Sequence, residues 1–451
     1  MKGKIHLVGI GGAGMRSLAL LLHQKGYQVQ GSDLLSSPTL EKLQSLGIKT
    51  YTGHSKEIIS NDVREVVYSS AINAHNPEIV EAKRRKIPLF SRGEKLSLLV
   101  KEKKEIIIAG THGKTTTSAI LAFLLKKLKL SHSYYLGGEI DSLGFSAEWG
   151  EGEYIVCESD ESDKSFLLLH PFISILTNID NDHLDRYEKI ENLWQDFYTF
   201  ASKTASGGLI MGNIHCPGVK KLLSSLSKSY PVLTYGGKEA ELRVEQVKFY
   251  PFSTHFTLSL NHKKIGRVDL PLPGYHNVLN ALPGIYLSHF LGADWREIFQ
   301  KIQDFSGVKR RYEVKGKSGK ILIIDDYAHH PSEIQVTIRT ARLLKKKLIV
   351  VFQPHRFSRT KLLAKEMAYS LLGADEVILL PIYSAGEKPL PGVSSQQIYQ
   401  ILLKQGKKCH LMETQEEVLT YLKSISDSPA VVITMGAGDV YQIGERLVSE
   451  K

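Results

Sequence analysis

Short, unbroken apolar runs alternate along this chain with longer segments whose apolar residues recur every three or four positions. That rhythm predicts buried parallel strands separated by helices. Residues 5–9 read as a strand, 15–25 as a helix, 29–32 as a strand, and 38–46 as a helix with Pro38 where its missing N–H costs nothing. Residues 66–68 and 77–85 continue the alternation. After a charged break at 101–105, residues 106–109 predict a strand and the following segment a long helix ending at Leu128. Strands are expected at 154–157, 172–176 and 209–212. From about 230 to 272 strict apolar–polar alternation, as in 254–260, predicts appended antiparallel strands, closed by helices at 277–291 and 294–305. Buried runs at 321–324, 348–352, 376–380 and 431–434 predict a further sheet.

The expected fold class is therefore α/β: three domains, each on a mostly parallel doubly wound sheet, with a small antiparallel addition to the central one. The boundaries are 1–98, 99–306 and 307–451, and a chain of 451 residues is long enough for several cores. A net charge of +11 raises the question of nucleic acid. The lysines lie in short clusters at element ends, such as 345–347, which reads as solvated faces, so no nucleic-acid partner is expected. Basic balance suits anionic small substrates. Cys157, Cys216 and Cys409 are scattered without a C-x-x-C pair, which fits a reducing compartment. The first apolar run breaks at once into glycines and no later run is long enough to span a bilayer, so the expectation is a cytoplasmic protein without membrane insertion.

Candidate chemistry gathers at the ends of these strands. Gly9-Ile10-Gly11-Gly12-Ala13-Gly14 lies between a strand and a helix, with Asp33 ending the next strand. Glycines there let the backbone approach a diphosphate at a helix N-terminus, a geometry that serves NAD or any nucleotide diphosphate. Gly110-Thr111-His112-Gly113-Lys114-Thr115-Thr116-Thr117 forms a second such turn. Its N–H groups can cradle phosphates, Lys114 can reach the terminal ones, and Thr115 is placed for Mg²⁺. This loop is shorter than the common phosphate loop, with Ile at 108. Acids follow two later strands: Glu158-Ser159-Asp160-Glu161-Ser162-Asp163, and Asn178 through Asp185 with His183. Glu158 and His183 read as metal ligands, whereas Asp160, Asp163 and Asp180 serve loops or caps equally well. Farther on come Asp325-Asp326-Tyr327-Ala328-His329-His330 and His355-Arg356-Phe357-Ser358-Arg359. The two arginines share a helix face and can grip a carboxylate or phosphate, while the adjacent histidines lack a third ligand for zinc.

With these motifs in order, and with Gly274-Tyr275-His276-Asn277, Asn280, Arg310-Arg311-Tyr312-Glu313 and Gly436-Ala437-Gly438-Asp439, the chain resembles the Mur ligase family over essentially its whole length. The resemblance implies a UDP-sugar-binding N-terminal domain, a central ATPase and a C-terminal amino-acid-binding domain. It implies ATP-dependent joining of L-alanine to the lactyl carboxylate of UDP-N-acetylmuramate through an acyl phosphate, in peptidoglycan precursor synthesis, by a monomer or weak homodimer. By the same resemblance, Gly110 to Thr116, His276, Asn277, Asn280, Arg311 and Asp326 bind ATP, and Thr115, Glu158 and His183 hold Mg²⁺. Gly11, Gly12, Ala13, Gly14, Met15, Asp33, Ser69 and Ser70 bind the UDP-sugar. Tyr327, His329, His355, Arg356 and Arg359 form the amino-acid pocket, with Lys114, Glu158, His183 and His329 counted as catalytic. Some relatives carry a carbamylated lysine after the Asp-His motif; residues 193–202 contain none, consistent with the alanine-adding branch.

Three readings compete with this one. A tripeptide-recycling ligase would act on the same UDP-sugar. An NAD-dependent oxidoreductase would use Gly9 to Gly14 and Asp33 but leaves Gly113-Lys114-Thr115 without work. A nucleotide-gated regulator would need no amino-acid pocket.

Overall fold

The computed structural model describes residues 2–159, 161, 163–180 and 190–450. Strands β1 (Lys2–Val8), β2 (Tyr27–Asp33), β3 (Lys49–Thr52), β4 (Val63–Tyr68) and β5 (Leu89–Ser91) form a sheet in the order β3-β2-β1-β4-β5. All its pairings are parallel. The order reverses at β1, and Gly9 follows at that strand's carboxyl end, the position where sheets of this kind bind ligands.

The second sheet has ten strands: β6 (Lys104–Ala109), β7 (His132–Tyr135), β8 (Ala147–Glu148), β9 (Tyr154–Glu158), β10 (Ile173–Leu176), β11 (Leu209–Asn213), β12 (Val232–Tyr235), β13 (Leu242–Phe249), β14 (Thr254–Leu260) and β15 (Lys263–Leu270). Its order is β15-β14-β13-β12-β11-β10-β6-β9-β7-β8. β6 lies between β10 and β9, parallel to both. It is covered on both faces, so Ile106, Ile107 and Ile108 are fully buried, as an unalternating apolar run requires. The expected antiparallel addition is β13 to β15. Only Asn261 and His262 join β14 to β15, both with positive φ (48° and 65°), and so short a link allows only an antiparallel hairpin. β12 instead continues the parallel sheet beside β11, and β13 joins β12 in parallel as well.

The third sheet runs β16 (Glu313–Ser318), β17 (Ile321–Asp326), β21 (Ala430–Met435), β18 (Lys347–Phe352), β19 (Glu376–Leu379) and β20 (Lys408–Leu411). It is parallel except for β16, which runs against β17. One apolar cluster fills each face, around Ile324, Val350 and Phe352 on one and around Ile323, Val351 and Val432 on the other.

Contacts group the chain into two compact units. One comprises Met1–Val247, His255–Leu270 and His276–Ser306; the other Lys248–Thr254, Pro271–Tyr275 and Gly307–Lys451. Within the first unit a single apolar core runs from Ile5 and Leu18 through Ile107 to Phe197, so the first two sheets share it. Among the described residues no helix is long and apolar enough to cross a membrane.

Candidate active site

At the first glycine loop, Gly9 and Ile10 both donate their N–H to Ser32 O (2.8 and 3.0 Å). Asp33 accepts from Gly11 N through Oδ2 and from Leu34 N through Oδ1, each at 2.8 Å. The Asp33 carboxylate thus shapes the loop. A Cβ on Gly11 would meet Asp33 Oδ2 at 2.8 Å, and one on Gly14 would meet Tyr135 Oη at 2.8 Å. Gly12 caps the helix Ala13–Gln24 without a side-chain bond, and that helix has no acid in its first turn. Its positive end is left for an anion. Met15 packs in the core, so its backbone alone borders the loop. Ser69 lies beside Gly9 and donates its N–H to Val8 O (3.1 Å), while Ser70 is exposed.

The second loop links β6 to the helix Lys114–Lys127 and is held by the end of β10. Asn178 Oδ1 accepts from His112 N (2.8 Å), and its Nδ2 donates to His112 O (2.9 Å). Thr111 N donates to Asn178 O (3.1 Å), and Thr111 Oγ1 accepts from Asp180 N (3.0 Å). Gly113 adopts φ 82°, and a Cβ there would meet Asn280 Oδ1 at 2.3 Å. That contact sets the first turn of the helix Tyr275–Phe290, with His276, Asn277 and Asn280, beside the loop. The helix Lys114–Lys127 also lacks a side-chain cap and a first-turn acid. By contrast Ser37, Asn76 and Ser91 cap the helices that follow them. Lys114 Nζ donates to Gly110 O (2.5 Å) and Thr111 O (3.1 Å) and pairs with the buried Glu161 at 2.8 Å.

Glu158 ends β9 and accepts from Thr115 Oγ1 and from Gly137 N, each at 2.8 Å. A hydroxyl and a carboxylate in contact beside this glycine loop are hard oxygen donors of the kind that Mg²⁺ takes alongside phosphate oxygens and water. His183 and Asp160 lie outside the described residues, among which no group of three potential ligands stands at metal-binding spacing. Asp163 Oδ1 accepts from Ser165 N (2.9 Å), a loop role, and its Oδ2 accepts from Arg92 Nη2 (2.8 Å).

In the second unit, β17 delivers two buried carboxylates. Asp325 accepts from Arg310 Nε (3.1 Å) and Thr434 Oγ1 (2.7 Å). Asp326 accepts from Tyr312 N and Ala328 N, each at 2.8 Å, and burial pushes its carboxyl up to about 6 against the pull of nearby Arg311. Tyr327 carries both guanidinium groups, Arg310 at 5.0 Å and Arg311 at 5.1 Å from its ring. The His329 ring lies 5.8 Å from that of His355, which stacks on Tyr383 at 5.7 Å. Arg359 Nη1 reaches His355 Nδ1 at 3.3 Å. Burial, with His329, Arg359 and Arg356 nearby, holds His355 down at about 3, so it is neutral at physiological pH. Arg356 adopts φ 70°, a strained value for a non-glycine residue. Among the described residues its buried Nε has no hydrogen-bond partner, which suits a pocket for a small carboxylate.

Three family models match consecutive stretches: "Mur ligase family, catalytic domain" at 4–104, "Mur ligase middle domain" at 108–288 and "Mur ligase, glutamate ligase domain" at 310–438. The chain belongs to the Mur ligase family. It is 41% identical over 449 residues to a UDP-N-acetylmuramate–L-alanine ligase of Dictyoglomus turgidum, covering 99% of this chain and 96% of that one. The ligase of the same name from Desulforamulus reducens is 40% identical, with 99% and 97% covered. Among solved structures, the UDP-N-acetylmuramate–alanine ligase of Thermotoga maritima superimposes with a TM-score of 0.86 at 31% identity, covering 99% of both chains. A murein peptide ligase from Psychrobacter arcticus shares the fold (TM-score 0.74, 24% identity, 99% and 98% covered).

Within this Mur ligase framework, sequence reasoning passed over Asn178, Glu161 and Tyr383 as site residues. Asn178 and Glu161 sit in the motifs already noted, but only the folded loop reveals what their side chains hold. The Gly113 contact yields a direct expectation. Gly113→Ala loses phosphate-loop function, because alanine is strained at φ 82° and its methyl overlaps Asn280 Oδ1. ATP titration by calorimetry should show at least about tenfold weaker binding, the effect of displacing the loop by roughly 1–2 kcal/mol of strain.

Proposed function

We propose that this chain uses ATP and Mg²⁺ to join L-alanine to the lactyl carboxylate of UDP-N-acetylmuramate. The observation that carries the reading is the second loop. There an uncapped helix N-terminus, Lys114 and the Thr115–Glu158 pair meet in one turn. ATP supplies the phosphoryl group that turns a carboxylate oxygen, a poor leaving group, into a good one. Lys114 steadies the charge that builds on the transferred group, and the loop N–H groups orient it. Thr115 and Glu158, with His183, would hold the magnesium.

Gly11, Gly12, Ala13 and Gly14 present an uncapped helix end to the diphosphate of the UDP-sugar, with Asp33 fixing the loop from behind. In the second unit, Arg356 and Arg359 grip the amino acid's carboxylate. Its ammonium must lose a proton before it can attack. His355, held at about 3, is too weak a base for that and serves as a neutral hydrogen-bond partner, which leaves His329 as the proton acceptor. The likeness to ligases named for alanine supports this amine over a tripeptide, as those relatives match end to end. A cytoplasmic setting fits the three unpaired cysteines.

Phosphate release by the purified protein with Mg-ATP and UDP-N-acetylmuramate tests the reading. Release should depend on L-alanine, with the alanyl product seen by mass spectrometry. Release with the tripeptide and not with alanine would replace it by the recycling activity.

A further inference from the structure

The arginine-bearing turn at the start of the helix Phe357–Leu371 does not hold its own shape. Arg356 is the residue before the first helical turn, yet it offers no side-chain cap and sits at φ 70°. Such a residue persists only where its surroundings over-determine it. The segment after β19 does so. Tyr383 N donates to Pro354 O (2.8 Å) and Arg356 N donates to Tyr383 O (2.8 Å), a two-way bridge that pins the turn from both sides. The Tyr383 ring lies flat on His355, with 9° between the planes. Four residues farther on, Glu387 reaches back to the helix end. Its Oε2 accepts from Ser358 N (3.0 Å) and its Oε1 from Ser358 Oγ (2.6 Å). The missing cap is therefore supplied from another part of the chain.

We infer that Glu387 is a positioning residue for amino-acid recognition, clamping the turn that aims Arg356 and Arg359 at the substrate carboxylate. This rests on the alanine-ligating reading above. Both oxygens of Glu387 are spent on Ser358, two residues after Arg356 and one before Arg359, so the carboxylate works through these arginines. Its negative charge also complements the positive end of the helix. Burial pushes its carboxyl up, but Ser358 and neighbouring Arg356 outweigh that and hold it below the ordinary range. It is therefore ionised at neutral pH. A loop segment with Ala385 at φ 48° and Gly386 at φ 84° turns the chain so that Glu387 points back.

The test is steady-state kinetics of Glu387→Ala, Glu387→Gln and Ser358→Ala in the full-length protein, with each of the three substrates varied in turn. Glu387→Ala should raise KM for L-alanine about tenfold or more, because both charge-assisted hydrogen bonds to Ser358 are lost. KM for ATP and for UDP-N-acetylmuramate should stay within about twofold, the ordinary scatter of a distant surface change. Glu387→Gln, which keeps an acceptor for Ser358, should recover part of the alanine effect, and Ser358→Ala should fall between. An unchanged KM for alanine in folded Glu387→Ala would overturn the assignment. So would equal losses for all three substrates, the mark of a merely structural role. If Glu387→Ala fails to fold, the glutamine and Ser358→Ala variants decide by the same split. Should the wild-type protein prove to use a tripeptide instead, the amine assignment fails while the clamp is read from KM for that tripeptide.

Discussion

Lys114→Ala is expected to lower alanine-dependent phosphate release by about 10²–10³-fold, the cost of removing one preorganised charge from the proposed phosphoryl-transfer site. KM for UDP-N-acetylmuramate should change little, because the first glycine loop is a separate turn of the chain. Stability should fall as well. Lys114 shields Glu161, whose side chain is 1% exposed, and deleting one partner of a buried pair costs about 3–5 kcal/mol. Lys114 also bonds two loop carbonyls, so the loss is shared between the ion pair and the loop. Adding Glu161→Gln to Lys114→Ala separates the two roles. The double variant should regain much of the stability by urea denaturation while remaining inactive. Full activity in Lys114→Ala would remove the loop from the mechanism.

The second large effect lies beneath the first glycine loop, at Glu78. This carboxylate is fully buried, as is its partner His6 at 2.9 Å. It also accepts from Ser32 Oγ (2.6 Å), Ser55 N (3.1 Å) and His54 Nδ1 (3.2 Å). Gln30 Nε2 lies 3.2 Å from His6 Nδ1 and also donates to Ile58 O (3.0 Å), an arrangement that makes His6 Nδ1 the acceptor and directs the Nε2 proton at Glu78. Glu78→Ala orphans these donors and should cost about 3–5 kcal/mol, read as a lower urea midpoint at unchanged slope. Ser32 is the residue whose carbonyl holds Gly9 and Ile10, so KM for the UDP-sugar should rise with it. The pH dependence has a definite sign. Burial pushes the Glu78 carboxyl up, but His6 and Ser32 bonding outweighs it and leaves the group below its ordinary value of 4.5. A depressed carboxylate stabilises the fold above its unfolded value and loses that contribution as pH falls through the folded one. The gap between wild type and Glu78→Ala should therefore be full at neutral pH and narrow below pH 4.5.

The sequence pattern located the central strands well, because a strand covered on both faces must be an apolar run. β6, β10, β17 and β18 lie within a residue or two of their expected bounds. The edge strands β3, β5, β16 and β20 were passed over. β3 reads Lys-Thr-Tyr-Thr and is nowhere fully buried; it is a strand because β2 offers it a ladder, which no local pattern announces. The helix Arg92–Val100 was also missed, although Ser91 and Glu94 spell a capping box that could have marked it. At the candidate site, the glycine turns, Lys114 and the arginines were legible as residues that follow strands, which is where the structure places them. What lay beyond reach was the support: Glu161 under Lys114, Asn178 behind His112 and Glu387 behind Arg356. Each acts across tens of residues of chain, and only the fold brings the partners together.

The seam between the first two modules carries heavy side-chain traffic. Tyr135, fully enclosed, donates to Gly14 O at 3.0 Å and accepts from Arg92 Nη1 at 3.0 Å, while Arg92 holds Asp163 beyond it. Ser17 bonds Leu136 O (2.9 Å) and Ser146 Oγ (2.8 Å), and Arg16 pairs with Glu139 at 2.7 Å. The family's sequence signatures divide near residue 105, but the physical object does not. Two sequence cassettes thus fall within one compact unit, joined by the side-chain contacts that cross between them. A chimera that swapped the first cassette alone would have to import Tyr135, Ser146, Glu139 and Asp163, the partners of its serine and arginines, from the second.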